Sequence, residues 1–223
     1  MTPAVGADAP YDKVLYAAFE RRYRAGEDSW SREPAMRQLV PLLLERLDSR
    51  SGHVLDIGAG RGPDTVDLLS AGHRVTATDL LRLPDWDAIE SRWADRVAFL
   101  EGDITELHLS PETFDAAVDN GVLHHQDPAR YLTYLAAVRR ALRPGGLLAL
   151  SLFSTAEERP DGVANHADDG RISRWFTESE ARQLLGAAHF EVVALERIPR
   201  KLEGLAYLLV IAAAADTDDE EGR

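Results

Sequence analysis

The residues of this chain with the most readable chemistry are Val54-Leu55-Asp56-Ile57-Gly58-Ala59-Gly60-Arg61-Gly62, an apolar run that passes directly into three glycines spaced by two. A chain leaving a strand in a sharp turn needs positive φ, and a ligand meets backbone closely only where no Cβ projects. Pro63 opens a helix behind the loop, and free N–H groups at its start favour a carboxylate-bearing or negatively polarised ligand. Asp56 can accept from a ligand ammonium or hold the loop. A second carboxylate, Asp79, follows Val75-Thr76-Ala77-Thr78 and lies 21 positions after Gly58. With Leu80 next to it, it can receive both hydroxyls of a ribose. Dinucleotide enzymes share these two features, and turn geometry alone also asks for such glycines. His124 and His125 form a third candidate, because imidazole titrates near neutrality and serves as a base or an orienting group.

These residues need a scaffold. Short β-branched runs at 53–57, 74–78, 97–100, 114–118 and 147–153 alternate with helix-length stretches, which predicts a parallel sheet covered by helices on both faces. Two helices, over 11–25 and 33–47, precede this repeat. A last helix near 177–188 leads into apolar runs at 190–198 and 205–215, whose short link predicts an antiparallel pair closing the sheet. Thr177 and Glu180 have capping-box spacing. The polar stretch 154–174, with Gly162 and Gly170, breaks the alternation at the ligand-binding rim and is a candidate lid. The expected division is a helical cap over 1–50, one ligand-binding domain over 51–215, and a disordered acidic tail over 216–223.

Bulk properties narrow the partners. A chain of 223 residues, 45% of them hydrophobic, buries one substantial core. With 38 acidic against 25 basic side chains, its net charge of −13 repels phosphate backbones and anionic lipid. Neither a nucleic-acid nor a membrane partner is expected. The absence of cysteine excludes disulfides and thiolate metal sites. The N-terminus lacks a signal-peptide pattern and the apolar run 205–215 is too short to span a bilayer, so a cytoplasmic location is expected.

Five segments together resemble the class I S-adenosylmethionine-dependent methyltransferases over about residues 11–215. Asp56-Ile57-Gly58-Ala59-Gly60-Arg61-Gly62 looks like that family's first motif. Glu101-Gly102-Asp103-Ile104 follows the third strand, and Phe114-Asp115-Ala116-Ala117-Val118-Asp119-Asn120 looks like the fourth-strand motif, with Leu123-His124-His125-Gln126-Asp127-Pro128 after it. Leu142-Arg143-Pro144-Gly145-Gly146 resembles the turn before strand five, and Trp175-Phe176-Thr177-Glu178-Ser179-Glu180 with Phe190-Glu191-Val192-Val193 resembles the last helix and sixth strand. The resemblance implies a Rossmann-like three-layer α/β sandwich: a mostly parallel seven-stranded sheet with an antiparallel last strand, capped by the N-terminal helices.

By the same resemblance the cofactor is S-adenosyl-L-methionine, held by Asp56, Gly58, Ala59, Gly60, Gly62, Asp79, Leu80, Gly102, Asp103, Ile104, Asp119 and Asn120. Asp103 would accept from the adenine amino group, and the Ile104 N–H would meet a ring nitrogen. A narrower similarity, carried by residues 19–30 and by Arg61-Gly62, is to thiopurine, thiol and tellurite-resistance methyltransferases, whose N-terminal segment covers the cofactor. It adds Tyr23 and Trp30 to the candidate acceptor-binding residues, with His124, His166 and Trp175. No metal is implied. The sequence after strand four reads Asp119-Asn120-Gly121-Val122 instead of Asn-Pro-Pro-Tyr, which argues against nucleobase or glutamine amino groups as acceptors. The expected reaction is in-line methyl transfer to a small molecule. Rivals are an NAD-dependent oxidoreductase, a cofactor-binding protein without transfer activity, and a protein side chain as acceptor. Acceptor, methylated atom and oligomeric state are not legible.

Overall fold

A computed structural model describes residues 10–47, 51–159 and 161–215; the expected tail at 216–223 lies outside the described residues. The elements are α1 (Tyr11–Ala25), α2 (Leu39–Leu44), β1 (His53–Ile57), α3 (Pro63–Ser70), β2 (Arg74–Asp79), α4 (Asp85–Trp93), β3 (Val97–Glu101), β4 (Phe114–Asn120), α5 (Tyr131–Ala141), β5 (Leu142–Thr155), β6 (Val163–His166), β7 (Ile172–Trp175), α6 (Glu178–Ala187), β8 (Phe190–Pro199) and β9 (Leu205–Ala214).

Seven strands form one sheet in the order β3-β2-β1-β4-β5-β9-β8. The first five run parallel and β9 pairs antiparallel with both β5 and β8. Val54, Leu55, Asp56 and Ile57 of β1 are all buried, as a central parallel strand covered on both faces requires. Alternate residues feed two cores. Leu55, Ile57 and Ala117 pack with Tyr134 and Leu135 of α5 and Leu185 of α6, while Val54, Val75 and Val118 pack with Leu39 and Leu43 of α2 and Leu68 and Leu69 of α3. Thr177 and Glu180 make both bonds of the capping box that starts α6. Among the described residues, no helix is long and apolar enough to cross a membrane.

The expected helix over 33–47 is shorter in the structure. A single-turn 3-10 helix at Met36–Gln38 precedes α2, which begins at Leu39. Pro41 is the reason: it lacks an N–H and its ring crowds the carbonyl of the preceding turn, so it is tolerated only in a first turn. The stretch 154–174 is also more regular than expected, because β6 and β7 form a separate two-stranded antiparallel sheet. Strand β5 starts at Leu142, ahead of the expected 147, with a register shift against β4 between Phe114 and Ala116.

Candidate active site

The loops that follow β1 to β5 gather at one rim of the sheet and enclose a cavity of about 870 Å³. The β1–α3 loop is set by backbone. Gly58, Gly60 and Gly62 have φ of 71°, 54° and 82°, and the Gly58 and Ala59 N–H groups both donate to the Thr78 carbonyl at 2.7 and 3.0 Å. Asp79, at the tip of β2, accepts from Gly60 N at 2.8 Å and Leu81 N at 3.1 Å. Burial pushes its carboxyl up to about 6 although those amides favour the ionised form. The Trp86 indole N–H donates to the Gly60 carbonyl at 2.7 Å and fixes the other side of the loop.

Of the residues singled out for the cofactor, Gly58, Asp79, Leu80, Gly102, Asp103, Ile104 and Asn120 line the cavity. Asp56, Ala59, Gly60, Gly62 and Asp119 are absent from its wall. Asp56 is 1% exposed and accepts from the Thr65 hydroxyl behind the loop; burial, reinforced by Asp64, raises its pKa. Asp119 is fully buried and accepts from the N–H groups of Gly121 at 3.1 Å and Val122 at 2.7 Å and from the Tyr134 hydroxyl at 2.7 Å. It is consumed in shaping the chain after β4. Asn120 donates to the Met36 carbonyl at 2.9 Å and to Asp64 at 2.7 Å.

The other half of the cavity is aromatic. His124 and His125, in a 3-10 turn after β4, line it with Phe153 from the end of β5, Trp175 from β7 and Tyr207 from β9. The His124 ring stacks on Phe153 at 3.6 Å between centroids and donates from Nδ1 to the Ser151 carbonyl at 3.2 Å. His125 donates from Nδ1 to the Ile172 carbonyl at 2.9 Å. Burial, with His125 as neighbour, holds the His124 pKa well below 6.5, and burial pushes His125 down to about 4. Both are neutral near pH 7, which favours orienting an acceptor over storing a proton. His166 does not join them; it is exposed on β6 and absent from the cavity wall.

Helix α1 closes the top. Phe19, Tyr23 and Trp30 reach the cavity, and three polar ties hold the segment down. Tyr11 donates to the His125 carbonyl and accepts from Ile172 N, both at 2.7 Å. Asp169 meets Arg22 at 3.3 Å and Arg171 at 3.0 Å. Arg61, inside the glycine loop, pairs with Asp28 at 2.7 Å and Asp85 at 3.1 Å. Sequence reading missed Phe19, Phe153, Tyr207 and Arg171. Two of them had a signal: Phe153 as the last residue of a strand expected to end on the rim, and Phe19 as the first residue of the segment expected to cover the cofactor.

His125 makes the fold sensitive to acid. The unfolded chain takes up a proton at this position below pH 6.5, while the native state refuses it until about pH 4. The contribution is complete above pH 6.5 and is lost as pH falls toward 4, amounting to about 3 kcal/mol at most. Urea unfolding of His125→Gln across that window is expected to show a flatter decline than wild type; parallel declines would remove this origin.

A family model described as a methyltransferase domain matches residues 54–146, from β1 to the turn within β5. A malonyl-[acyl-carrier protein] O-methyltransferase of Chlorobium phaeovibrioides is 32% identical over 199 residues, covering 86% of this chain and 74% of that protein. The chain belongs to the class I S-adenosylmethionine-dependent methyltransferases. An uncharacterised methyltransferase of Mycobacterium tuberculosis is 35% identical over 138 residues, and there the match spans 61% of this chain and about half, 51%, of that protein. Among solved structures, the Burkholderia thailandensis 1,6-didemethyltoxoflavin-N1-methyltransferase, with 1,6-didemethyltoxoflavin and S-adenosylhomocysteine bound, superposes with a TM-score of 0.89 at 41% identity, covering 97% of this chain and 94% of that one. This methyltransferase uses S-adenosylmethionine, and the oxidoreductase reading falls away.

Proposed function

We propose that this enzyme methylates a ring nitrogen of a flat nitrogen heterocycle, 1,6-didemethyltoxoflavin or a compound shaped like it. The observation that carries the reading is the 41% identity, over 97% of the chain, to the N1-methyltransferase of that compound. The site supports it independently. The half of the cavity away from Asp79 is walled by aromatic rings, with Phe153 stacked near-parallel to both His124 and Trp175 at interplanar angles of 23° and 25°. Flat faces of this kind hold flat ligands in one orientation.

The pocket also fits the cofactor. An added Cβ at Gly58 would come within 2.1 Å of Val122 Cγ2, so only glycine lets this loop pass so close to the chain that follows β4. Asp79 receives the ribose hydroxyls, Asp103 and Ile104 address the adenine, and Gly58 and Asn120 flank the methionine. Asp56, Ala59, Gly60, Gly62 and Asp119 act on the cofactor only through the loops they shape. S-adenosylmethionine supplies an electrophilic methyl group when bound, and the side chains have only to align the nitrogen lone pair with it and keep water out. The neutral His124 and the rings of Phe153 and Trp175 do the aligning, while Phe19, Tyr23 and Trp30, within the cap formed by the N-terminal segment, exclude water. A net charge of −13 supports a small-molecule partner in the cytoplasm over nucleic acid or lipid.

Incubation with S-adenosylmethionine labelled in its methyl group and 1,6-didemethyltoxoflavin tests the reading. Label on a ring nitrogen, in a product with methyl in place of one N–H hydrogen, the proton passing to solvent, is the expected result. Tight S-adenosylhomocysteine binding with no transfer to this or other nitrogen heterocycles, but with transfer to thiols, phenols or carboxylates, would overturn it.

A further inference from the structure

Phe153 is the meeting point of three polar groups. The His124 ring lies against it, the Trp175 indole stacks at 5.3 Å, and the Arg200 guanidinium sits 4.9 Å from its centroid and 4.8 Å from that of Tyr207. Tyr207 is the cross-strand neighbour of Phe153 between β5 and β9, so the two rings form one apolar platform. Arg200 belongs to the turn joining β8 to β9, held there by a bond from its N–H to the Leu205 carbonyl at 3.0 Å.

What distinguishes Arg200 is a buried N–H donor with no counter-charge beside it. Of the other arginines on the cavity wall, Arg22 and Arg171 are matched to Asp169, and Arg32 is exposed to solvent. Arg200 makes no ion pair with any described carboxylate, in a chain that carries 38 of them. Its Nε is buried without a hydrogen-bond partner, and so is Nε1 of Trp175. Both side chains line the same cavity. Two buried, unmatched N–H donors beside one platform carry an uncompensated desolvation cost unless something accepts from them. Planar guanidinium on aromatic faces is also the arrangement that recognises the edge of a flat, electron-rich ligand.

We propose that Arg200 and Trp175 are the specificity-determining pair of this enzyme, and that they bind a ring carbonyl oxygen or the delocalised negative charge of a flat acceptor lying along Phe153. This deepens the heterocycle reading and rests on it. His124 completes the pattern from the other side: with Nδ1 bound to Ser151, its Nε2 keeps a lone pair for an acceptor N–H. The acceptor is thereby a flat ring bearing both oxygen and N–H.

Calorimetry on the protein loaded with S-adenosylhomocysteine tests the pair, using two flat probes of similar fused-ring shape: lumazine, which carries ring carbonyls and N–H groups, and quinoxaline, which carries neither. Wild type is expected to bind lumazine at least roughly tenfold more tightly, and Arg200→Met to reduce that preference to within about threefold. Arg200→Lys, which keeps charge but not the planar Nε–H, is expected to fall between them. S-adenosylhomocysteine affinity should stay within about twofold in each variant, which separates lost recognition from lost folding. Equal binding of the probes by wild type, no binding of lumazine, or a preference that survives Arg200→Met would each overturn the proposal. If the preference holds but 1,6-didemethyltoxoflavin takes no methyl, the proposed substrate fails and the recognition pair stands.

Discussion

Asp79→Ala is expected to weaken S-adenosylhomocysteine binding by at least roughly a hundredfold, because it removes two charge-assisted hydrogen bonds to ribose hydroxyls at about 1.5–3 kcal/mol each. The carboxylate has a second task, since it also holds Gly60 N and Leu81 N. Asp79→Asn separates the two. The amide keeps one acceptor for the loop and loses the negative charge, so its affinity is expected to lie between those of wild type and alanine. Burial keeps this carboxyl up at about 6, so wild-type affinity should also fall as pH drops through that value and the acid form loses an acceptor. Calorimetry on all three proteins reads the series, and an Asp79→Ala affinity equal to wild type would remove this residue from the site.

Gly58→Ala carries the second large effect, and Gly145 supplies its control. Both residues have nearly the same left-handed backbone, φ 71° and 70°. At Gly145 an added Cβ meets nothing within 4 Å, whereas at Gly58 it would come within 2.1 Å of Val122 Cγ2. Gly145→Ala should therefore cost only the left-handed strain of about 1–2 kcal/mol. Gly58→Ala adds the displacement of Val122, an overpacking cost of about 1–3 kcal/mol more. For a chain of this size that difference lowers the melting temperature by several degrees, on the order of 3–10 °C beyond the Gly145 variant. Since Gly58 and Val122 both line the cavity, cofactor binding is lost with it. Equal melting temperatures and equal affinities in the two variants would show that the close fit has no consequence.

Much of the fold was legible because its signals are local and repeated. The buried run 54–57 followed by glycines, the alternation of strands with helices and the Thr177–Glu180 spacing each express one physical requirement at one place. Asp79 was legible for the same reason, as a polar residue ending a strand whose tip reaches the rim. Asp119 shows the limit. Its type and position suit a ligand, but its oxygens are taken by the Gly121 and Val122 N–H groups and by Tyr134 from α5, a demand that exists only after folding. Phe153 and Tyr207 read as ordinary strand residues, since their pairing across β5 and β9 is a matter of register. Arg200 read as part of a turn; nothing in the sequence says that no described carboxylate pairs with it. The break before α2 was written in Pro41 and was overridden by the leucine periodicity around it.

A crystal structure of the protein with S-adenosylhomocysteine and 1,6-didemethyltoxoflavin bound tests the central claim most directly. The predicted result is a ribose held by the Asp79 carboxylate, homocysteine against Gly58, and the heterocycle along Phe153 with a ring nitrogen directed at the sulfur. A nucleoside bound away from Asp79, or a heterocycle outside the walls formed by Phe153, Trp175 and Tyr207, would contradict it.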